Sequence, residues 1–269
     1  MKMEPEPGPV GTQRPDRRNR NAGKEDIMMK YEDLARKECL DWQREMMRRP
    51  SLIGRTAKAV QNKINEKIPA HVHRAITEAV KHMVQAVLKG SEWTSREPVA
   101  ETLTLAEREA LMRDKIRFYK RLAAAEGAGT GAGGFMLTLA DFPALIAIKI
   151  KLLYDAAAIY SFDAKQPLER LYILYVFQTA FSSGEKRRAA FLKLKNWEET
   201  VKSFQTDGTA LELIDWQSFQ QEYRDTIDLA KLLQFLPGFG AVVGAVANYR
   251  FLDELGRTAM NAYRMRLLF

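Results

Sequence analysis

The sequence predicts an all-α protein, and three observations carry that reading. Apolar residues recur at steps of three and four along most of the chain, no stretch alternates with the period of two of a strand, and Pro50, Pro69 and Gly90 mark the ends of the first three periodic stretches. The architecture expected is a multi-helix globular bundle around two central glycine-rich apolar helices or hairpins. Apolar residues make up 46% and charged residues 28% of the 269, the balance of a chain that buries a core. The formal charge of +8 and pI near 9.5 favour anionic partners.

Residues 1–24 are rich in Pro, Gly, Arg and Asn and read as a disordered basic tail, with a helical domain over 25–269. The start has no apolar core of a secretory signal. Helix is expected from near Asp26. Met28, Tyr31, Ala35, Cys39, Trp42 and Met46 share one face, and Pro50 supplies the stop. Cys39, the one cysteine, falls on that buried stripe and reads as a packed thiol. A second amphipathic stretch carries Ile53, Ala57, Val60, Ile64 and Ile68, and a third Val72, Ile76, Val80, Met83 and Val87, ending at Gly90. Thr104 with Glu107 three residues later forms a capping box that opens the next helix. Leu111, Phe118 and Leu122 are expected as its apolar stripe, with Lys115 between them.

Five glycines then crowd into eight positions: Gly127, Gly129, Gly131, Gly133 and Gly134. From Ala128 to Ile148 there is no Lys, Arg or Glu, a length that could cross a bilayer. Asp141 would cost about 2.5–3.5 kcal/mol near a bilayer centre, and glycine loses about 1 kcal/mol against alanine in an exposed helix interior. A buried helix, or a hairpin turning near Asp141 and Pro143, is therefore favoured over a span. Ile148, Leu152, Asp155, Ile159 and Phe162 ride the following helix, Pro167 starts another, and Ser182 to Gly184 breaks it. A further helix is expected from about Asp215 to Leu236. Leu232 to Ala247 is a second uncharged glycine segment, interrupted at Pro237. The last helix is expected from about Asn248 to Leu268, with Tyr249, Leu252, Leu255, Ala259 and Tyr263 on one side and Arg250, Arg257, Arg264 and Arg266 on the other.

Gly127 and Gly131, Gly129 and Gly133, and Gly240, Gly244 and Asn248 repeat every four residues, the spacing that lets helix backbones approach closely. The two glycine segments are expected to cross at the centre of the domain, with Asp141 accepting from Asn248 or a backbone N–H. The residues assigned to this packing are Gly127, Gly131, Gly134, Asp141, Pro143, Asp163, Pro237, Gly240, Gly244 and Asn248, with Asp163 capping or turning the chain ahead of Pro167.

These segments together resemble the EcsC family of bacterial helical proteins. The resemblance rests on Tyr31 and Trp42, on Ala123–Gly134 and Ala140–Leu145, and on "YSFD" at Tyr160–Asp163. Glu169, "LPGFGAVVGAVANYRFL" and the closing "AMNAYRMRLL" complete it. Ser161 replaces a glycine usual in that family, which argues against a tight turn there. The resemblance implies a role in membrane processes or secretion, through contact with an anionic membrane surface or a membrane transporter complex. The expected location is the cytoplasm, peripheral to or inserted in the inner membrane.

No motif for a cofactor or nucleotide emerges. The glycine cluster follows a helix and lacks the Lys-Ser/Thr of a P-loop. The three histidines form no zinc pattern, and no serine sits in a nucleophile elbow. Glu126, Asp141, Asp155, Asp163 and Glu169 offer an alternative reading, a hydrolase or metal-dependent enzyme with an acidic cluster. The basic run Lys186, Arg187, Arg188, Lys193 and Lys195 suits an anionic surface, with Phe191, Leu194 and Trp197 placed to sit at the interface. Nucleic acid is not the expected partner, because no recognised module accompanies the charge.

Overall fold

The computed structural model describes residues 17–48, 70–90, 98–99, 102–130, 142–206 and 241–269. These residues form eight helices and no strand, as the periodicity predicts. They are α1 (Arg17–Met47), α2 (Ala70–Lys89), α3 (Leu105–Thr130), α4 (Phe142–Ile159), α5 (Pro167–Phe181), α6 (Gly184–Lys195), α7 (Trp197–Thr206) and α8 (Ala241–Leu268). The amphipathic stretch 53–68, the helix expected over 215–236, Gly131, Gly134, Asp141, Pro237 and Gly240 lie outside the described residues.

The centre of the described bundle is built by α4, α5 and α8, whose residues 152–160, 171–182 and 258–265 are buried on every side. α1, α3 and α6 pack around α8, and α2 lies against α4 and α5. Side-chain pairs fix the directions. α8 runs antiparallel to α3, since Arg264 meets Glu109, Gly256 meets Ile116, and Asp253 meets Lys120. It is antiparallel to α1 by Arg264 with Glu38, Asn261 with Cys39 and Arg257 with Glu45. It is antiparallel to α5 by Tyr263 with Glu169 and Phe251 with Phe181.

Several helices start or stop where local chemistry says they should. Ala35, Cys39, Trp42 and Met46 of α1 are buried, and α1 ends at Met47. The capping box is present: Thr104 N donates to Glu107 Oε2 at 2.9 Å, and Glu107 N donates back to Thr104 Oγ1 at 3.3 Å. Pro167 occupies the first turn of α5, where its missing N–H costs nothing. Gly90 and Gly184 take positive φ, at the end of α2 and the start of α6.

Other expectations are corrected. α1 begins at Arg17, ahead of Asp26, because no proline interrupts the chain between Arg17 and Met47. The stripe Leu111, Phe118 and Leu122 is not the buried face of α3: Leu111 and Phe118 are exposed, and Leu105, Met112, Ile116, Tyr119 and Ala123 are buried. That stripe runs 105, 109, 112, 116, 119 and 123, and a glutamate at 109 interrupts its apolar pattern. α8 starts at Ala241 rather than Asn248, so the end of the second glycine segment forms its opening turns. Tyr249 is exposed, whereas Arg264, expected on the solvent side, is buried.

Ser161 is the sharpest correction. It sits at φ 67, the left-handed position that closes α4. Its N–H donates to Ala158 O and that of Phe162 to Ala157 O, the paired bonds of a Schellman cap. The tight turn is therefore present without the glycine. The serine hydroxyl gains partners there: Oγ donates to Val99 O at 2.7 Å and accepts from Arg108.

Candidate functional site

Burying charge without partners costs several kcal/mol per ion, so each buried ion in this core has a set of fixed partners. Glu109 on α3 has a fully buried side chain. Arg264 on α8 grips it with two bonds, Nε to Oε1 at 2.6 Å and Nη2 to Oε2 at 2.7 Å. Tyr31 on α1 donates to Oε2 at 2.7 Å, and Arg113 stands 3.6 Å away while donating to the Tyr31 hydroxyl. The remaining arm of Arg264 reaches Glu38 on α1 at 2.9 Å and Asn261 Oδ1 at 3.2 Å. Burial opposes the charge on Arg264, but the bonds to Glu109 and Glu38 prevail and raise its pKa. Burial also raises the Tyr31 phenol. The cluster ties α1, α3 and α8 together, and neither oxygen of Glu109 lacks a donor.

A second buried carboxylate, Glu169 on α5, accepts from the Tyr263 hydroxyl at 2.7 Å and from Arg266. The Arg266 guanidinium lies 3.6 Å from the ring centroid of Phe162 and 4.6 Å from that of Tyr172. Tyr263 stacks on Tyr160 and Phe162, each at 5.3 Å. Burial raises the pKa of Glu169, and Arg266 offsets only part of that. A third, Asp155 on α4, accepts from Tyr119 at 3.0 Å with Lys115 at 3.3 Å.

The acids named from the sequence are thus held by different partners. Asp155 serves α3, Glu169 serves α8, and Asp163 Oδ1 accepts from Lys165 N at 2.9 Å in the turn before α5. Glu126 lies on α3 outside the described side chains. Among the described residues no group of His, Cys, Asp and Glu is arranged to hold a metal. Glu109 and Arg264, the most enclosed ion pair, were missed by sequence reasoning. The available signal was the charge of Glu109 in register with a 4-3-4-3-4 buried stripe.

Of the packing residues, Pro143 is exposed near the start of α4. Gly127 lies on α3, and Gly244 and Asn248 on α8, in turns whose side-chain surroundings are outside the described residues. The close helix approach that is described occurs at Gly256, where a Cβ would come within 2.6 Å of Ile116 Cγ1.

The basic run lies on α6. Lys186 and Lys195 are exposed, and Arg187, Arg188 and Lys193 half-buried. Lys193 stands over the Tyr175 ring at 5.2 Å, and Arg188 is 3.9 Å from Glu185. Phe191 and Leu194, expected at an interface, are instead buried, and Trp197 packs its edge on Tyr172 at 4.9 Å. The apolar side of α6 is used by the core: Phe191 meets Trp42 edge-on at 5.3 Å. No described helix is long and apolar enough to cross a membrane.

Comparison with known proteins agrees with the motif-based resemblance. The model of the EcsC protein family matches residues 33–268. Protein EcsC of Bacillus subtilis (strain 168) is 45% identical over 235 residues, covering 87% of this chain and 95% of that protein. An uncharacterized protein of the same organism, YdbA, is 33% identical over 146 residues, 54% of this chain and 52% of its own length. No solved structure matches the chain. The chain belongs to the EcsC protein family.

Proposed function

We propose that this protein is a non-enzymatic accessory that docks on an anionic membrane surface, in support of a transporter, a secretion system or a lipid process. The observation that carries the reading is α6, a helix with five cations against one acid, Glu185, whose Ala190, Phe191 and Leu194 are already buried in the core. Such a helix has charge to offer a surface, while its aromatic side chain, Phe191, is taken up by the core. Its attraction is therefore electrostatic, about 1 kcal/mol for each Lys or Arg near an anionic leaflet. The net charge of +8 acts in the same sense at longer range. The buried carboxylates support a non-catalytic role, because Glu109 and Glu169 are occupied as cross-braces.

Flotation of the full chain with vesicles containing phosphatidylglycerol, against purely zwitterionic vesicles, tests the proposal. Binding is expected to anionic vesicles only, and to weaken as salt shortens the screening length from about 10 Å at 0.1 M towards 3 Å at 1 M. A protein that stays with the soluble fraction at low salt would sink it.

A further inference from the structure

Where α8 finishes, α1 passes both the end of that helix and the start of α3, and one side chain ties it to each. Tyr31 donates to Glu109 of α3 at 2.7 Å, and Arg36 donates to Leu268 O of α8. Beside these two ties lies a cavity of about 350 Å³, open on one side to solvent. Sites for small ligands run from roughly 300 to 1,000 Å³. Met28, Leu103, Leu105 and Leu267 give the cavity apolar walls, and Glu32 and Arg108 bring charge to it.

The two charges are held differently. Arg108 is 6% exposed, and its donors are turned into the fold: Nε to Leu103 O at 3.0 Å, Nη1 to Ile159 O at 2.8 Å and to Ser161 Oγ. The start of α3 beside it already has a carboxylate, since Glu107 accepts from Thr104 N. Neither group is arranged to receive an anion. Glu32 is the opposite case. It is half-buried, and among the described residues it forms no hydrogen bond or ion pair. Arg36 stands four residues on, the spacing at which opposite charges on a helix meet. It turns instead to Leu268 O and to the Phe269 ring at 5.0 Å. Glu38 and Glu45 on the same helix both hold arginines, Arg264 and Arg257. Glu32 is thus a carboxylate beside apolar surface with its donor still to be supplied.

We infer that this cavity binds a small organic cation, a primary ammonium on an apolar body. The ammonium donates to Glu32, and the body lies against Met28, Leu103, Leu105 and Leu267. Arg108, fixed in the wall, repels the charged end and so turns it towards Glu32. The site stands apart from the vesicle-docking reading and does not depend on it.

Hexylamine, hexanol and hexanoate share one apolar body and differ in the head group, so calorimetric titration of the full chain with each isolates the charge. Hexylamine is expected to bind at one site about tenfold or more tighter than hexanol, as a hydrogen bond to a charged group allows. Hexanoate is expected to bind no better than hexanol. Glu32→Gln should bring hexylamine down to the level of hexanol, and should melt as wild type does without ligand, because Glu32 has no bond to lose. The place is read from methyl-labelled methionine. The Met28 signal, assigned through Met28→Leu, is expected to shift with hexylamine, and that of Met112, fully buried in the core, to stay. Equal binding of the amine and the alcohol, an unchanged preference in Glu32→Gln, or a Met28 signal that ignores saturating hexylamine would overturn the assignment.

Discussion

Glu109 shows how much one side chain decides in this fold. Its carboxylate is closed in by Arg264, Tyr31 and Arg113. Glu109→Leu would leave the Arg264 guanidinium, itself 5% exposed, with only the half-solvated Glu38 to balance it. Removing one partner of a buried pair costs about 3–5 kcal/mol, whereas replacing both by apolar groups of similar volume is often neutral. Glu109→Leu is therefore expected to lose several kcal/mol in chemical denaturation and Glu109→Leu with Arg264→Met to recover most of it. Glu169 behaves oppositely with pH. Its folded pKa is raised, so the folded state binds its proton more readily than the unfolded chain, and stability falls as pH rises from the ordinary carboxylate value of 4.5 through the raised folded one. Glu169→Gln keeps an acceptor for Tyr263 and removes that slope. The stability of the variant relative to wild type should rise with pH across that window, and a constant difference would refute the assignment. None of this was legible in the sequence, because a buried glutamate and an exposed one are written alike until the partner helix is known.

At the scale of the element, Ser161 sets two effects against each other. A non-glycine residue in the left-handed region costs about 1–2 kcal/mol, and a net hydrogen bond returns about 0.5–1.5 kcal/mol. Its hydroxyl makes two, with Val99 O and Arg108. Ser161→Ala keeps the backbone strain and loses both bonds, so it should destabilise by roughly 1–3 kcal/mol. Ser161→Gly trades the bonds for relief and should fall near neutral in the same melt. Gly256 offers a cleaner case. The Cβ of Gly256→Ala would press on Ile116, at a cost of about 1–3 kcal/mol for overpacking, and Ile116→Val in that background should restore part of it. Helices were the legible part of this chain: the stripes of α1 and α2, the Thr104–Glu107 box and the Pro167 start are all local signals. The α3 stripe was misplaced because Leu111 and Phe118 are as apolar as the residues that pack. Choosing between two helix faces needs the charge of Glu109 to be matched with Arg264, 155 residues away.

At the scale of the whole molecule, the buried ion pairs among the described residues gather towards one end of the bundle. Towards that end Glu38, Glu109 and Glu169 hold Arg264 and Arg266 in place. Towards the other, Arg121, Arg250 and Lys186 are exposed. The five cations singled out in α6 are then not equivalent. Lys186 lies at the end shared with Tyr249 and Arg250, whereas Lys195 precedes Trp197, which packs on Tyr172 well along the bundle. A surface that met α6 along its whole length would weigh Lys186 and Lys195 alike. A surface that met the bundle end-on would weigh Lys186 more, since screening cuts the pull of a charge held more than about 8–10 Å from the lipid at physiological salt. Lys186→Glu is accordingly expected to weaken partition into anionic vesicles severalfold more than Lys195→Glu, with both variants melting as wild type does. Equal losses from the two would point to side-on docking by α6.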